Sequence, residues 1–577
     1  MKQKIGLVIP SCLLMIALVL SSCAPADGPT TTPGAEKPQY GGTINTVTVR
    51  FKNIDPYRYD TESRYPLSIY LDRLLVGDWA VDRNKWSYSG WVGYTPVKFM
   101  KGALLENWEM PDLLTLVLHV RKGIHYQDKP PVNGREFTAD DIAWNWERMK
   151  NSPFLDQTWL KRIEKITVLD KYTVELKLSP PEQVSSMWVN LLDSVHVFFI
   201  AKETVGSSGE VEDWKNMVGT GPFMIEDFIA DSSLTFQRNP NYWGYDERNP
   251  KNQLPYADGV KVLIIPDDST RQAALLAGRI DFLPRLDWQT GDQLKKNNPK
   301  IVMRQAVAGT NHGFAMRVDV APFDDIRVRQ ACSMAINREA MVQSFFGGYA
   351  TPYSGMVKEL HGPPYWIPYD ELPDKPMWTS VSAKDVLSYN PEKAKQLLAE
   401  AGYPNGLDTV INAATDLQGA EGLPEIVQAD LAKIGVRAKI EARPWGVMTA
   451  IFGSKEMDQM IEHMWSYAPD VLKYFSRTAD HTIKWNYANV DDPVFTEMYK
   501  KASTNLDVEE RGKQIREMNM YTIEHAFYIF MPNPQTVTAW WPWLKGYGGE
   551  GSLGGQNQGA LLARLWVDQK LKAEMGK

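Results

Sequence analysis

Cysteine is nearly absent. Three occur in 577 residues, and two of them, Cys12 and Cys23, fall in the leader. Only Cys332 remains in the body, so no disulfide can form within it. Cys332 lies in the apolar stretch VRQACSMAI and reads as a small core residue rather than a nucleophile. HExxH, CxxC, a Walker phosphate loop and GxSxG are missing as well, and with them the patterns that mark zinc proteases, thiol redox proteins, nucleotide hydrolases and serine hydrolases. The eight histidines are scattered, with no pair at ligand spacing on one helix, so no metal or cofactor is expected. Excess positive charge is missing too. The net charge is −7, hence −9 once Lys2 and Lys4 leave with the leader, and this argues against a nucleic-acid partner. Beyond the leader, no apolar run is long enough to span a bilayer.

The leader itself is informative. Lys2 and Lys4 precede a mostly apolar run from Ile5 to Leu20, broken by Pro10, Ser11 and Cys12. Charge, then an apolar stretch, then small residues is the build of an export signal. Leu20-Ser21-Ser22-Cys23 resembles a bacterial lipobox, which implies cleavage before Cys23 and lipidation of its sulfur. An uncleaved anchor or an ordinary secretion signal is the alternative. Residues 23–39, rich in Pro, Thr, Gly and Ala, bury too little to offset ordering entropy and are expected to form a flexible tether. Acyl chains contribute about 0.8 kcal/mol per buried CH₂, so two or three would hold the protein to a membrane. The expected location is extracytoplasmic, on the periplasmic side or the cell surface.

The body is 44% hydrophobic and 23% charged across the whole chain, a soluble globular balance in a length that calls for two or three domains. Strands and helices alternate without a repeat, giving an α/β class. Leu113–Val120 reads as a buried strand. Thr138 caps a helix whose first turn carries Asp140 and Asp141, with Ile142, Trp146 and Met149 on one face. Val174, Leu176 and Leu178 alternate along a half-buried strand, and Val260–Ile265 is another. Arg327–Phe345 carries one long helical pattern. Asn390-Pro391 opens a helix that Gly402 closes. Val427, Leu431 and Ile434 mark the next, stopped by Gly435, and Val436, Ala438 and Ile440 form a strand. The glycine-rich run Gly546–Gly559 lacks a phosphate loop's Lys-Ser/Thr ending and reads as a surface loop.

Whole segments carry a resemblance. LLENWEMPDLLTLVLHVRKGIHYQDKPPVNGREFTADDIAWNWERMK (104–150) is followed in order by GTGPFMIEDF (219–228), RNPNYWG (238–244), AALLAGRIDF (273–282), PFDDIRVRQACSMAINREAMV (322–342), YNPEKAKQLLAEAGYPNG (389–406) and LAKIGVRAKIEARPW (431–445). The set resembles the family 5 extracellular solute-binding proteins, the dipeptide-, oligopeptide- and nickel-binding components of ABC importers. The resemblance implies a two-lobed, periplasmic-binding-protein-like α/β fold with an extra subdomain in the first lobe. The expected division is lobe I at 40–64, 208–295 and 535–577, the extra subdomain at 65–207, and lobe II at 296–534, with crossings near residues 295 and 535. It also implies a monomeric, non-enzymatic receptor that closes on a solute and passes it to a membrane permease.

The stretch MWSYAPD, 464–470, bears on the cargo. In peptide-binding relatives the position three after the Trp is an Asp that receives the peptide ammonium, whereas here it is Ala468. A buried ammonium without that carboxylate would cost several kcal/mol. Trp465, Tyr467 and Asp470 instead suit a sugar, as stacking platform and hydrogen bonders, and Trp541 in the Trp540–Trp543 cluster lies near the second crossing. The alternative for that cluster is packing at a domain joint. The expected cargo is an oligosaccharide, with an oligopeptide as the alternative, nickel and haem open, and a surface-anchored hydrolase as the reading from another class.

Overall fold

In the computed structural model, residues 37–577 are described, other than 59–62, 89–94, 156–159, 180–196, 309, 363, 418–419, 453–456, 458, 467–470 and 484. The export segment, Cys23 and most of the tether fall outside that set. The strand Thr43–Thr48 pairs in parallel with Gly259–Ile264, Ile44 beside Val260 and Thr46 beside Val262. Ser233–Arg238 and Phe223–Ile229 continue this sheet antiparallel. A second four-stranded antiparallel sheet runs Leu105–Asp112, Thr115–Val120, Thr173–Leu178, Ile163–Asp170. The helix Ala139–Lys150 covers it. Ile142, Trp146 and Met149 are fully buried, as are Val174 and Leu176 opposite, and each such side chain contributes roughly 1.5–3 kcal/mol. The helix starts where the sequence indicates: the Asp141 carboxylate accepts the Thr138 N–H at 2.9 Å and is clamped by both Arg135 Nη atoms.

Buried apolar residues fall into two clusters. One draws on residues 44–301 and 537–567, the other on 314–531. The chain therefore passes between cores twice, and the two passages are neighbours. Val302–Val307 pairs antiparallel with Asn533–Trp540, from Val302 opposite Trp540 to Val307 opposite Gln535, and Phe282–Leu286 flanks the same strand on its other edge. Beyond them the second core is built on a five-stranded sheet in the order Val436–Arg443, Leu407–Ala414, Met460–Ser466, Thr310–Met316, Tyr528–Phe530. The first three strands are parallel, Thr310–Met316 runs antiparallel to them, and Tyr528–Phe530, antiparallel to Thr310–Met316, is parallel to the first three again.

Two expectations are corrected. The pattern from Arg327 to Phe345 is two helices, Ile326–Met334 and Arg338–Ser344. Asn337 breaks it, because its side chain accepts the Ala340 N–H at 3.0 Å and caps the second helix. The glycine-rich run is not a surface loop: Glu550, Ser552, Leu553, Asn557 and Gln558 are all at most 1% exposed. Its glycines serve close approach. A Cβ on Gly559 would stand 2.4 Å from the backbone oxygen of Ser68, so the helix Arg64–Tyr70 has no room to give. Gly559→Ala is expected to cost about 2–3 kcal/mol, the upper range for overpacking, read as a lower urea midpoint. An unchanged midpoint would show that this packing is slack. Cys332 is fully buried, and burial pushes its thiol up to about 12, which fits an inert core residue.

Candidate functional site

Open α/β sheets bind ligands in the crevice outside the carboxyl ends of their parallel strands. In the second core those ends are Ala414, Arg443 and Ser466. Thr310–Met316 runs the other way, so its first residues lie at the same end, with Asn311 opposite Trp465 and His312 opposite Met464. The passages from the first core arrive here too. The segment Ser354–Gly362 packs over this end. Ser354 Oγ accepts from Asn311 Nδ2 at 3.0 Å and donates to Met531 O at 2.9 Å. The Lys358 N–H donates to His361 Nδ1 at 3.0 Å, and Lys358 Nζ reaches the Trp465 carbonyl at 3.4 Å. Gly362 abuts Trp86, where a Cβ would lie 3.0 Å from the indole. Trp86 packs against both cores, so this end of the sheet faces the first core.

The electrostatics are those of a dry site. Lys358 is 1% exposed, and burial pushes its ammonium down to about 7. Burial, then the charge on Lys358, holds His312 near 4. His463 sits well below the ordinary histidine range, first through burial and then through His312 and Arg477. Glu462 moves the other way. Burial raises it to about 7 against the pull of the Ala414 N–H, which donates to it at 2.8 Å, and Glu425 and Glu421 push it further up.

The proposed aromatic platforms lie elsewhere in their packing than a sugar would need. Trp465 is 3% exposed. Its ring stacks on Phe530 at 5.4 Å, meets His463 and Tyr528 edge-on, and lies over Gly313, where a Cβ would stand 2.5 Å from the indole. In this conformation protein encloses the ring. Trp541 is 1% exposed, stacks on Trp543 at 4.5 Å, and donates its indole N–H to Leu275 O at 2.6 Å. It is packing within the first core rather than a surface offered to a ligand. A tryptophan at a joint is wanted equally for packing and for stacking, so residue type alone could not separate the two. Tyr467, Ala468 and Asp470 lie outside the described residues. Among the described residues no group of three His, Cys, Asp or Glu side chains is placed to hold a metal ion.

Comparison with known proteins decides the family. The model of bacterial extracellular solute-binding proteins, family 5, middle region, matches residues 100–486. This chain belongs to that family. It is 28% identical over 498 residues to haem-binding protein A of Haemophilus influenzae, covering 78% of this chain and 83% of that protein. It is 29% identical over 370 residues to the glutathione-binding protein GsiB of Salmonella choleraesuis, covering 63% of this chain and 65% of that protein. Among solved structures, the ABC transporter-associated periplasmic binding protein DppA of Helicobacter pylori, in complex with the peptide STSA, superposes with a TM-score of 0.66 at 24% identity, covering 92% of this chain and 99% of that one. The two cores are thus the two lobes of a solute-binding protein of ABC importers. No helix among the described residues is long and apolar enough to cross a membrane.

The family 5 receptor places at its interlobe end several residues that sequence reasoning passed over, namely Trp86, Asn311, His312 and Lys358. Nothing in the sequence flags Lys358. Lysines in loops are ordinarily solvated, and no local period shows that this one turns inward.

Proposed function

We propose that this receptor carries a peptide in the crevice between its lobes and delivers it to the permease of an ABC importer. The observation that supports this most directly is the likeness to a receptor holding the peptide STSA, joined by one that binds glutathione, itself a small peptide. The oligosaccharide reading rested on open aromatic platforms. Trp465 is enclosed and Trp541 is core packing, and none of the three relatives named above carries a sugar. Closure turns on the paired passages Val302–Val307 and Asn533–Trp540, since two adjacent strands can twist together with little loss of packing. The lobe boundaries set out above, the tether and a lipid on Cys23 complete the reading, holding the receptor within reach of its permease. It acts as a monomer and returns its cargo unchanged, unlike a surface-anchored hydrolase.

The test is a panel of di- to pentapeptides and di- to hexasaccharides. True cargo at a hundred times its dissociation constant adds about 2.7 kcal/mol of stability, seen as a higher melting temperature. Small-angle scattering of the same complex is expected to show a smaller radius of gyration than the empty receptor. If only saccharides raise the melting temperature, the peptide reading is wrong. Cleaved peptide in the recovered ligand would point to the hydrolase.

A further inference from the structure

Lys358 buries its ammonium with no counter-charge among the described residues. Among the described residues its ammonium has one hydrogen bond, to the Trp465 carbonyl, long at 3.4 Å, and no carboxylate there pairs with it. An ammonium has three donors, and burying one unpaired costs several kcal/mol. A methionine would fill the same space at no such cost. Two further groups beside it are unsatisfied. Asn311 Oδ1 and His312 Nδ1 are buried without a hydrogen-bond partner among the described residues, on residues 0% and 3% exposed. The cluster is local, because Asn311 is the cross-strand partner of the residue whose carbonyl Lys358 touches. It also stands at the carboxyl ends of the parallel strands. Gly362, four residues on from Lys358, lies against Trp86 of the first lobe, so opening the lobes uncovers this end of the sheet.

We infer that Lys358 is the anion-binding group of the crevice and takes a carboxylate of the ligand. Asn311 Oδ1 is placed to accept a neighbouring N–H. Resting on the peptide reading above, this makes the cargo a peptide with a free C-terminus, whose carboxylate meets the ammonium and whose last amide N–H meets Asn311. Carboxylate on ammonium supplies charge-assisted bonds that the described residues do not give Lys358, in surroundings where the residue is 1% exposed. His312, held neutral beside Lys358, adds no second charge, so the preference is for a single carboxylate. The neutral, hydroxyl-rich cargo expected from the sequence would leave Lys358 unpaired.

Two measurements on the full chain test this. Tri- to pentapeptide libraries with free C-termini and with C-terminal amides are offered to the wild type and to Lys358→Met, and retained peptides are weighed by mass spectrometry. Wild type is expected to retain free acids at least tenfold over amides, and Lys358→Met to show no preference. Lys358→Met is also expected to fold with undiminished thermal stability, which a merely structural lysine would not allow. The second measurement follows lysine side-chain NMR signals in acetate and in acetamide, with the Lys358 signal identified by its loss in Lys358→Met. Acetate is expected to shift that signal and acetamide to leave it in place. Equal retention of acids and amides overturns the inference and leaves the peptide reading standing. Failure to retain any peptide, with the acetate shift present, overturns the peptide reading and leaves the anion site standing. Absence of both overturns both.

Discussion

Arg338→Met is expected to lower the stability of the receptor by about 3–5 kcal/mol. The guanidinium is 1% exposed and has no carboxylate partner among the described residues. It is held by Phe530 O at 2.8 Å, Leu387 O at 2.8 Å, Ser333 O at 3.0 Å and Ser333 Oγ at 3.0 Å. Burial pulls it down to about 10, still far above neutrality, so it is a cation held by dipoles alone. Methionine would remove the cost of burying that charge. It would also leave the buried carbonyls of Phe530 and Leu387 short of a donor, at about 1–3 kcal/mol each, while Ser333 O keeps the Ile336 N–H at 3.3 Å, and the second term is the larger. Arg338→Lys is expected to recover little, because one ammonium cannot reach acceptors fanned around a planar fork. Urea unfolding reads both variants. A loss below 1 kcal/mol for Arg338→Met would show that the carbonyls find other donors.

The same residue explains one misreading. Val328, Ala331, Ala335 and Val342 keep helical spacing across the break, since both helices pack on the same core. Spacing reports which face is buried, not whether the backbone is continuous. The break comes from Asn337, whose side chain accepts the Ala340 N–H and so starts a new helix, and from Arg338, which reaches back to Ser333 in the turn before it. Where one local period met one face, the sequence was readable. Val174, Leu176 and Leu178 along a strand, the Thr138–Asp141 box, and Asn390, Pro391 and Gly402 around a helix stand as read. The glycine-rich run was misread because glycine and polar residues mark surface turns and tight interiors alike. Inside, Asn557 caps the Gln558–Ala563 helix by accepting from Ala560 N at 3.2 Å, and Glu550 accepts from Gly548 N at 2.7 Å, so these buried polar groups are met by backbone N–H donors, while Ser552 Oγ and Gln558 Oε1 find no partner among the described residues.

The site was less readable than the fold. Family motifs identified the receptor, yet most of them hold strands and turns in place. The crevice is assembled from residues far apart in the chain, with Trp86 from one lobe, Asn311 and Lys358 from the other, and Trp465 at a strand end. None of these carries a local signal of its neighbours. Trp465 was singled out by its place in the motif, and what it contributes to the Lys358 cluster is its carbonyl rather than its ring.

Glu247→Gln is expected to cost about 3 kcal/mol at pH 7 and almost nothing near pH 2. Glu247 is largely buried between Arg564, which grips it through Nε at 2.8 Å and Nη2 at 2.5 Å, and Lys101. Burial alone would raise its carboxyl. The charge and fork of Arg564, then Lys101, more than reverse this and hold it at about 2. A free glutamate titrates near 4.3, so the unfolded chain binds the proton at a pH where the folded one does not. That difference stabilises the fold fully above about pH 4.3 and is lost as pH falls towards 2. Two and a bit pH units correspond to about 3 kcal/mol at 1.36 per unit. Glutamine keeps the shape and removes the charge, leaving Arg564 buried without its counter-ion, and a broken buried pair costs of the same order, about 3–5 kcal/mol. Urea unfolding of both proteins at pH 7, 5, 4 and 3 is expected to show a constant gap at the first two and a shrinking gap at the last two. A gap that stays the same down to pH 3 would mean that Glu247 acts through shape and hydrogen bonding, not through its ionisation.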